Sequence, residues 1–278
     1  MSKHTHSYFT IFFLTITALL TMACSNDAEN KMNSDHKATL DSILNHYGLK
    51  GSILIYASDK QTYYSNNFEW AKTGFLPAST FKIPNSIIAL ESGVLKSDTT
   101  MLLWDKQPRS FPEWEKDLTL REAFQASCLP CFQEIAKKIG VKPMQTYLNK
   151  LHYTNMDVSA STISNFWIAG KSRITQFDQI DFLQRFYTKK LPILNSTRET
   201  MLRVMRIDYP GSAAYYGKTG WSTDADKNNG WYVGFVVKDQ KPYYFALNVD
   251  PIANNQLDKF RTGRREAMEV ALRYLNIL

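Results

Sequence analysis

The sequence predicts an α/β fold of the α+β type: one largely antiparallel sheet built from both ends of the chain, flanked by the terminal helices, with a mainly helical lobe inserted between its halves. Three observations carry this. Short apolar runs of strand length stand near both ends, "GSILIYAS" and "TYYSNNFEW" early, "AAYYGKTGW", "GWYVGFVVK" and "PYYFALNV" late. From Pro77 to about Met205 the patterning is mainly helical, with Pro108, Pro112, Pro130, Pro143 and Pro192 marking loops. A helix-period segment borders each end of the sheet.

In order, Leu40, Ile43, Leu44 and Tyr47 recur at helical spacing over residues 37 to 47, and Gly48 stops the helix. The two early strands turn at Asp59-Lys60, and the three late runs follow one another at hairpin spacing. A last helix runs from about Leu257 to Leu275, with Met268, Val270, Ala271 and Leu275 suited to packing on a sheet. The sheet lobe thus covers about 37–75 and 210–278, and the helical lobe about 76–209. A cleft between them is where a site is expected.

The N-terminus reads differently. Residues 1–23 place Lys3 before an apolar run from Tyr8 to about Ala23, the layout of a secretory signal and shorter than the ~20 residues a spanning helix needs. Ala23-Cys24 followed by polar residues is similar to a bacterial lipoprotein signal, with Cys24 the lipidated residue, although Thr21 stands where leucine is usual. Residues 24–36 are polar and small and read as a flexible tether. The expected location is periplasmic, free or anchored to the membrane through Cys24; an ordinary cleaved signal is the alternative.

At 278 residues, 44% hydrophobic and 21% charged, the chain is long enough for a sizeable core. The net charge of +7 falls to +6 without residues 1–23, because Lys3 is the one charged residue there. Basic residues are scattered except at Arg261, Arg264 and Arg265, which disfavours nucleic acid and suits an anionic small molecule. No oligomeric state is predicted. Cys128 and Cys131 form a C-x-x-C that reads as a structural bridge or two buried small side chains rather than as a redox pair.

Ser79-Thr80-Phe81-Lys82 opens the helical block and puts a hydroxyl and an amine three positions apart, on one helix face. In such a pair the serine attacks a carbonyl and the lysine, or a group on it, removes the serine proton. Ser127-Cys128-Leu129 stands at the start of another helical segment, and Lys218-Thr219-Gly220 ends a predicted strand just before Trp221. Singly, Ser127 reads as a helix cap, Lys218 as an exposed strand residue and Gly220 as a turn former. The ordered set points to acyl transfer.

With "PASTFKIPNSIIALESG", "WEKDLTLREAFQASCLPCFQEIAKKIG", "YLNKLHYTNMD", "SNFWIAG", "YGKTGW" and "GWYVGFVV" in sequence, nearly the whole mature chain resembles the class D, or OXA-type, serine β-lactamases. The resemblance implies a penicillin-recognising serine enzyme fold, and hydrolysis of β-lactams through an acyl-enzyme on Ser79. Ser127 and Lys218 would pass the proton to the lactam nitrogen. Backbone N–H groups of Ser79 and Trp221 would form the oxyanion hole, each worth ~3 kcal/mol. Thr219 and Arg261 would hold the substrate carboxylate beside Gly220, with Arg264 and Arg265 as further candidates.

The resemblance also implies that Lys82 carries CO2 as an N-carbamate, N6-carboxylysine, and serves as general base in both half-reactions, held by the indole N–H of Trp167. Burial by Phe81 and Leu129 would keep the amine neutral enough to react. CO2 or bicarbonate is then the only small molecule required, with no bound cofactor and no metal. No glutamate motif for a deacylating water is present. Leu129 replaces the usual valine, and Tyr153-Thr154-Asn155 replaces Tyr-Gly-Asn, which removes glycine's backbone freedom from that loop. The rival readings are a penicillin-sensing domain that acylates without turnover, and a D-Ala-D-Ala peptidase or transpeptidase.

Overall fold

The computed structural model describes residues 1, 30–211, 213–253 and 257–278. The signal segment and Cys24 fall outside the described residues. No helix among the described residues is long and apolar enough to cross a membrane.

The chain runs β1 (Lys31–Asn33), α1 (Lys37–His46), β2 (Leu49–Ala57), β3 (Thr62–Ser65), α2 (Phe68–Lys72), a 3-10 turn (Ala78–Phe81) and α3 (Lys82–Glu91). There follow β4 (Met101–Leu102), a 3-10 turn (Pro112–Trp114), β5 (Leu118–Thr119), α4 (Leu120–Gln125), α5 (Leu129–Ile139), α6 (Val141–Lys150), α7 (Gln176–Tyr187) and α8 (Asn195–Met205). The last elements are β6 (Arg206–Ile207), β7 (Ala214–Asp224), β8 (Lys227–Lys238), β9 (Lys241–Pro251) and α9 (Leu257–Tyr274). Seven strands form one sheet in the order β1-β3-β2-β9-β8-β7-β6, antiparallel except for the β1–β3 pair. The two ends of the chain meet at its centre, where Leu49 pairs with Pro251 and Ala57 with Tyr243.

Period-2 alternation explains why the long strands carry nearly unbroken apolar runs. Leu54, Tyr56, Trp231, Val233, Phe235, Tyr244 and Ala246 face the core shared with the helical lobe. Ile53, Ile55, Tyr232, Val236, Phe245, Leu247 and Val249 face a second core under α1 and α9. Each fully buried large apolar side chain contributes ~1.5–3 kcal/mol relative to exposure. The hairpins close through Ala225-Asp226 and Asp239-Gln240, all four at φ between 47° and 63°, which matches the twist of the strands. Gly48 ends α1 at φ 66°, a conformation that favours glycine.

Four details depart from expectation. Residues 31–33 belong to the sheet rather than to a tether, because β1 adds to the open edge of β3. "FEW" is helical, since the Asn67 side chain accepts from Trp70 N at 3.0 Å and caps α2. Pro130 and Pro143 lie in the first turns of α5 and α6, where a missing N–H costs nothing, and not in loops. The helical lobe also holds a small sheet, β4 with β5.

Candidate active site

The 3-10 turn and α3 set the first pair of groups. Ala78 takes φ 51°, unusual for a residue with a Cβ, and its N–H is held by Trp167 O at 2.7 Å. Ser79 is thereby half exposed at the helix start, while Lys82, one turn on, is buried. The Lys82 Nζ lies 2.9 Å from Ser79 Oγ and 5.1 Å from the centre of the Phe132 ring. Burial pushes the Lys82 amine down from 10.5 to about 7. Half of it is therefore neutral near neutral pH.

A brace under this turn was not read from the sequence. Thr80 Oγ1 donates to Pro77 O at 2.6 Å and accepts from Gln179 Nε2 at 2.8 Å. Gln179 and Gln176 are both buried on the apolar face of α7, beside Ile180 and Leu183. Two glutamines one turn apart on such a face were the available signal.

The second pair joins the lobes. Ser127 is not a helix start; it follows α4 at φ 53° and precedes Cys128, which caps α5. Lys218 Nζ donates to Ser127 Oγ, and to Thr219 O at 2.9 Å. Lys218 is not the exposed strand residue of the simplest reading but is buried, held well below the ordinary lysine range by burial first, then by the nearby Lys82 and Arg264 cations. Gly220 sits at a close approach: a Cβ there would stand 3.2 Å from Thr80 Cγ2 and 3.3 Å from Ala78 Cβ, tighter than ordinary contact. The glycine lets β7 lie against the Ser79 turn.

Between the lobes lies a cavity of about 880 Å³ whose lining includes Ser79, Ser127, Leu129, Thr219 and Trp221. Phe111, Glu113 and Trp114 also line it; they lie in the segment from Met101 to Trp114, whose spacing singles out none of them as a site residue. The three arginines differ. Arg261 is exposed at the mouth, 3.9 Å from Glu113 and over the Phe111 ring. Arg264 is buried, donates to Gly220 O and stacks on Trp221; burial and then Arg261 pull it down to about 10. Arg265 turns to Glu269 at 2.7 Å.

Trp167 stacks on Phe81 with ring centres 5.4 Å apart, and its buried Nε1 has no hydrogen-bond partner. Cys128 and Cys131 are bridged. In the Tyr153-Thr154-Asn155 loop the left-handed residues are His152 and Asn155, at φ 49° and 61°, so threonine in place of glycine strains nothing.

An antiparallel sheet with an inserted helical lobe, a Ser-x-x-Lys turn in the cleft and a Ser–Lys bond across it define a penicillin-recognising serine enzyme. The penicillin-binding protein transpeptidase domain matches residues 49–263. Beta-lactamase OXA-10 of Pseudomonas aeruginosa is 36% identical, over 88% of each chain. The crystal structure of a class D beta-lactamase from Sebaldella termitidis superposes with a TM-score of 0.83 at 32% identity, covering 90% of this chain and 99% of its own. Regulatory protein BlaR1 of Bacillus licheniformis is 28% identical over 83% of this chain and 37% of its own. The chain belongs to the class D β-lactamases, within the penicillin-binding transpeptidase-domain family.

Proposed function

We propose that the protein hydrolyses β-lactams through an acyl-enzyme on Ser79. The observation that carries the reading is the 2.9 Å contact between Ser79 Oγ and a lysine whose burial lowers it to about 7. Lys82, through the group it carries, takes the Ser79 proton as Oγ attacks the lactam carbonyl. Ser127 Oγ, fed by the Lys218 N–H, returns a proton to the departing nitrogen. Thr219 and the cations of Arg261 and Arg264 meet the substrate carboxylate at the other end of the cavity.

The site suits CO2 on Lys82. A dry neutral amine is the reactive form, and the orphaned Trp167 Nε1–H is a donor in need of an acceptor. When bound, CO2 supplies a carboxylate base for both acylation and deacylation. Lys82 would hold it, with Trp167 fixing its orientation and Phe81, Phe132 and Leu129 excluding bulk water.

Purified protein mixed with a chromogenic cephalosporin should turn over, faster with added bicarbonate, and Lys82→Ala should stop deacylation. Stoichiometric acylation without turnover would instead make it a sensor, the reading its likeness to the BlaR1 regulatory protein favours. Full activity in Lys82→Ala would sink the carbamate. We further propose export directed by residues 1–23 and lipidation at Cys24, tested by palmitate labelling; a soluble, unlabelled product counts against it.

A further inference from the structure

Ser127 occupies a position that helices usually give to glycine. Helix α4 ends with Ser127 N–H on Phe124 O at 3.1 Å and Cys128 N–H on Ala123 O at 2.9 Å, the paired bonds of a Schellman terminus. The residue between them must be left-handed, and here it is a serine at φ 53°. A non-glycine residue there carries a conformational cost. His152, Lys189 and Asn276 bear the same cost at the ends of α6, α7 and α9, where no reacting hydroxyl has to be held in place. The chemistry nevertheless needs a hydroxyl at this point, since Ser127 Oγ takes the Lys218 hydrogen bond.

The next residue supplies the constraint. Cys128 is buried, caps α5 by accepting from Cys131 N at 3.3 Å, and is bonded to Cys131, with the two Cα atoms 5.4 Å apart. A bridge across three positions closes so small a loop that its effect on the unfolded chain is near the minimum. What it does fix is the residue that ends one helix motif and begins the next. We propose that the Cys128–Cys131 disulfide is a positioning element for Ser127, holding its left-handed conformation so that Oγ stays between Lys218 and the leaving nitrogen. Acylation then depends on the redox state of the bridge. The bridge is reachable: Cys131 is half-buried and lines a separate cavity of about 650 Å³, beside Trp104, Lys137 and Lys138. A small dithiol entering there would surrender two electrons and two protons, leave Cys128 and Cys131 as thiols, and depart as its own disulfide.

This inference rests on the proposed β-lactam chemistry, so its test has an arm that needs no substrate. Oxidised and dithiol-reduced protein, with the thiols counted by mass after alkylation of a quenched sample, are compared by hydrogen exchange over residues 126–131. Reduction should speed exchange at the Ser127 and Cys128 amides. The acylation rate with a fluorescent penicillin should fall about tenfold, and Cys128→Ser with Cys131→Ala, which keeps a cap acceptor without the bridge, should behave as the reduced form. Ser127→Ala, already slow, should not respond to reduction. Unchanged exchange and acylation in the reduced protein overturn the proposal, as does an equal loss in Ser127→Ala, which would mean a general loosening. If neither redox form reacts with any β-lactam, the hydrolase reading fails and the exchange arm alone decides the brace.

Discussion

Replacing Lys82 by methionine should stabilise the protein while abolishing turnover. Methionine matches the length of the lysine stem and carries no charge into the space between Ser79 and Phe132. The amine falls from 10.5 in the unfolded chain to about 7 in the fold, a gap of about 3.5 pH units at ~1.36 kcal/mol each, or roughly 5 kcal/mol. The sign follows from linkage. With the folded value depressed, the unfolded chain binds more protons between pH 7 and 10.5, so the wild type gains stability as pH rises through that window. Below pH 7 the full cost stands, and above about 10.5 it is gone. Part of the gain in the variant enters through Lys218, which loses a like-charged neighbour. Urea unfolding of both proteins in CO2-depleted buffer should show the variant ahead by roughly 3–5 kcal/mol at pH 6 and by about 2 kcal/mol at pH 9. Titrating groups other than Lys218 cancel in the difference. A variant less stable at pH 6, or a difference indifferent to pH, would refute a lysine held neutral by burial.

Trp167→Phe removes an unpartnered N–H but leaves a small cavity, so stability should move by no more than about 1 kcal/mol. Deacylation should slow at least tenfold and require more bicarbonate; burst and steady-state kinetics separate the two steps. Gly220→Ala crowds Thr80, Ala78 and Trp231 at 3.2–3.3 Å and should push β7 from the Ser79 turn, cutting acylation more than tenfold and costing ~1–3 kcal/mol. Arg264→Ala should raise KM about tenfold, and Arg261→Ala less, because Arg264 sits on Gly220 while Arg261 leans on Phe111 and Glu113 at the mouth. The reverse order in steady-state kinetics would restore Arg261 as the principal anchor.

The parts of the fold that were legible were those with local periodicity: the three late strands, the flanking helices and the Ser79–Lys82 face all follow from spacing of 2 or 3.6. What escaped depended on partners far away in the chain. Residues 31–33 become a strand because β3 offers an edge, and nothing in Lys31-Met32-Asn33 announces it. Ser127 looked like a helix start because a helix does begin two residues later; its role as the left-handed end of α4 appears only with the Ala123 and Phe124 carbonyls in view. Lys218 looked exposed as an isolated strand residue, and the inserted lobe buries it. The arginines at 261, 264 and 265 share one composition, and helix phase alone sends one to the mouth, one to Gly220 and one to Glu269.

The pairing of β2 with β9 has a consequence for synthesis. Because the first long strand finds its central neighbour only in the last, the sheet lacks its middle contact until the final forty or so residues are available. Contacts of such long sequence separation make folding slow and leave a partial chain without a closed core. A polypeptide built this way stays open while it is being made. It becomes compact late, when His36 and Tyr274 come within 3.0 Å and α1 lies beside α9.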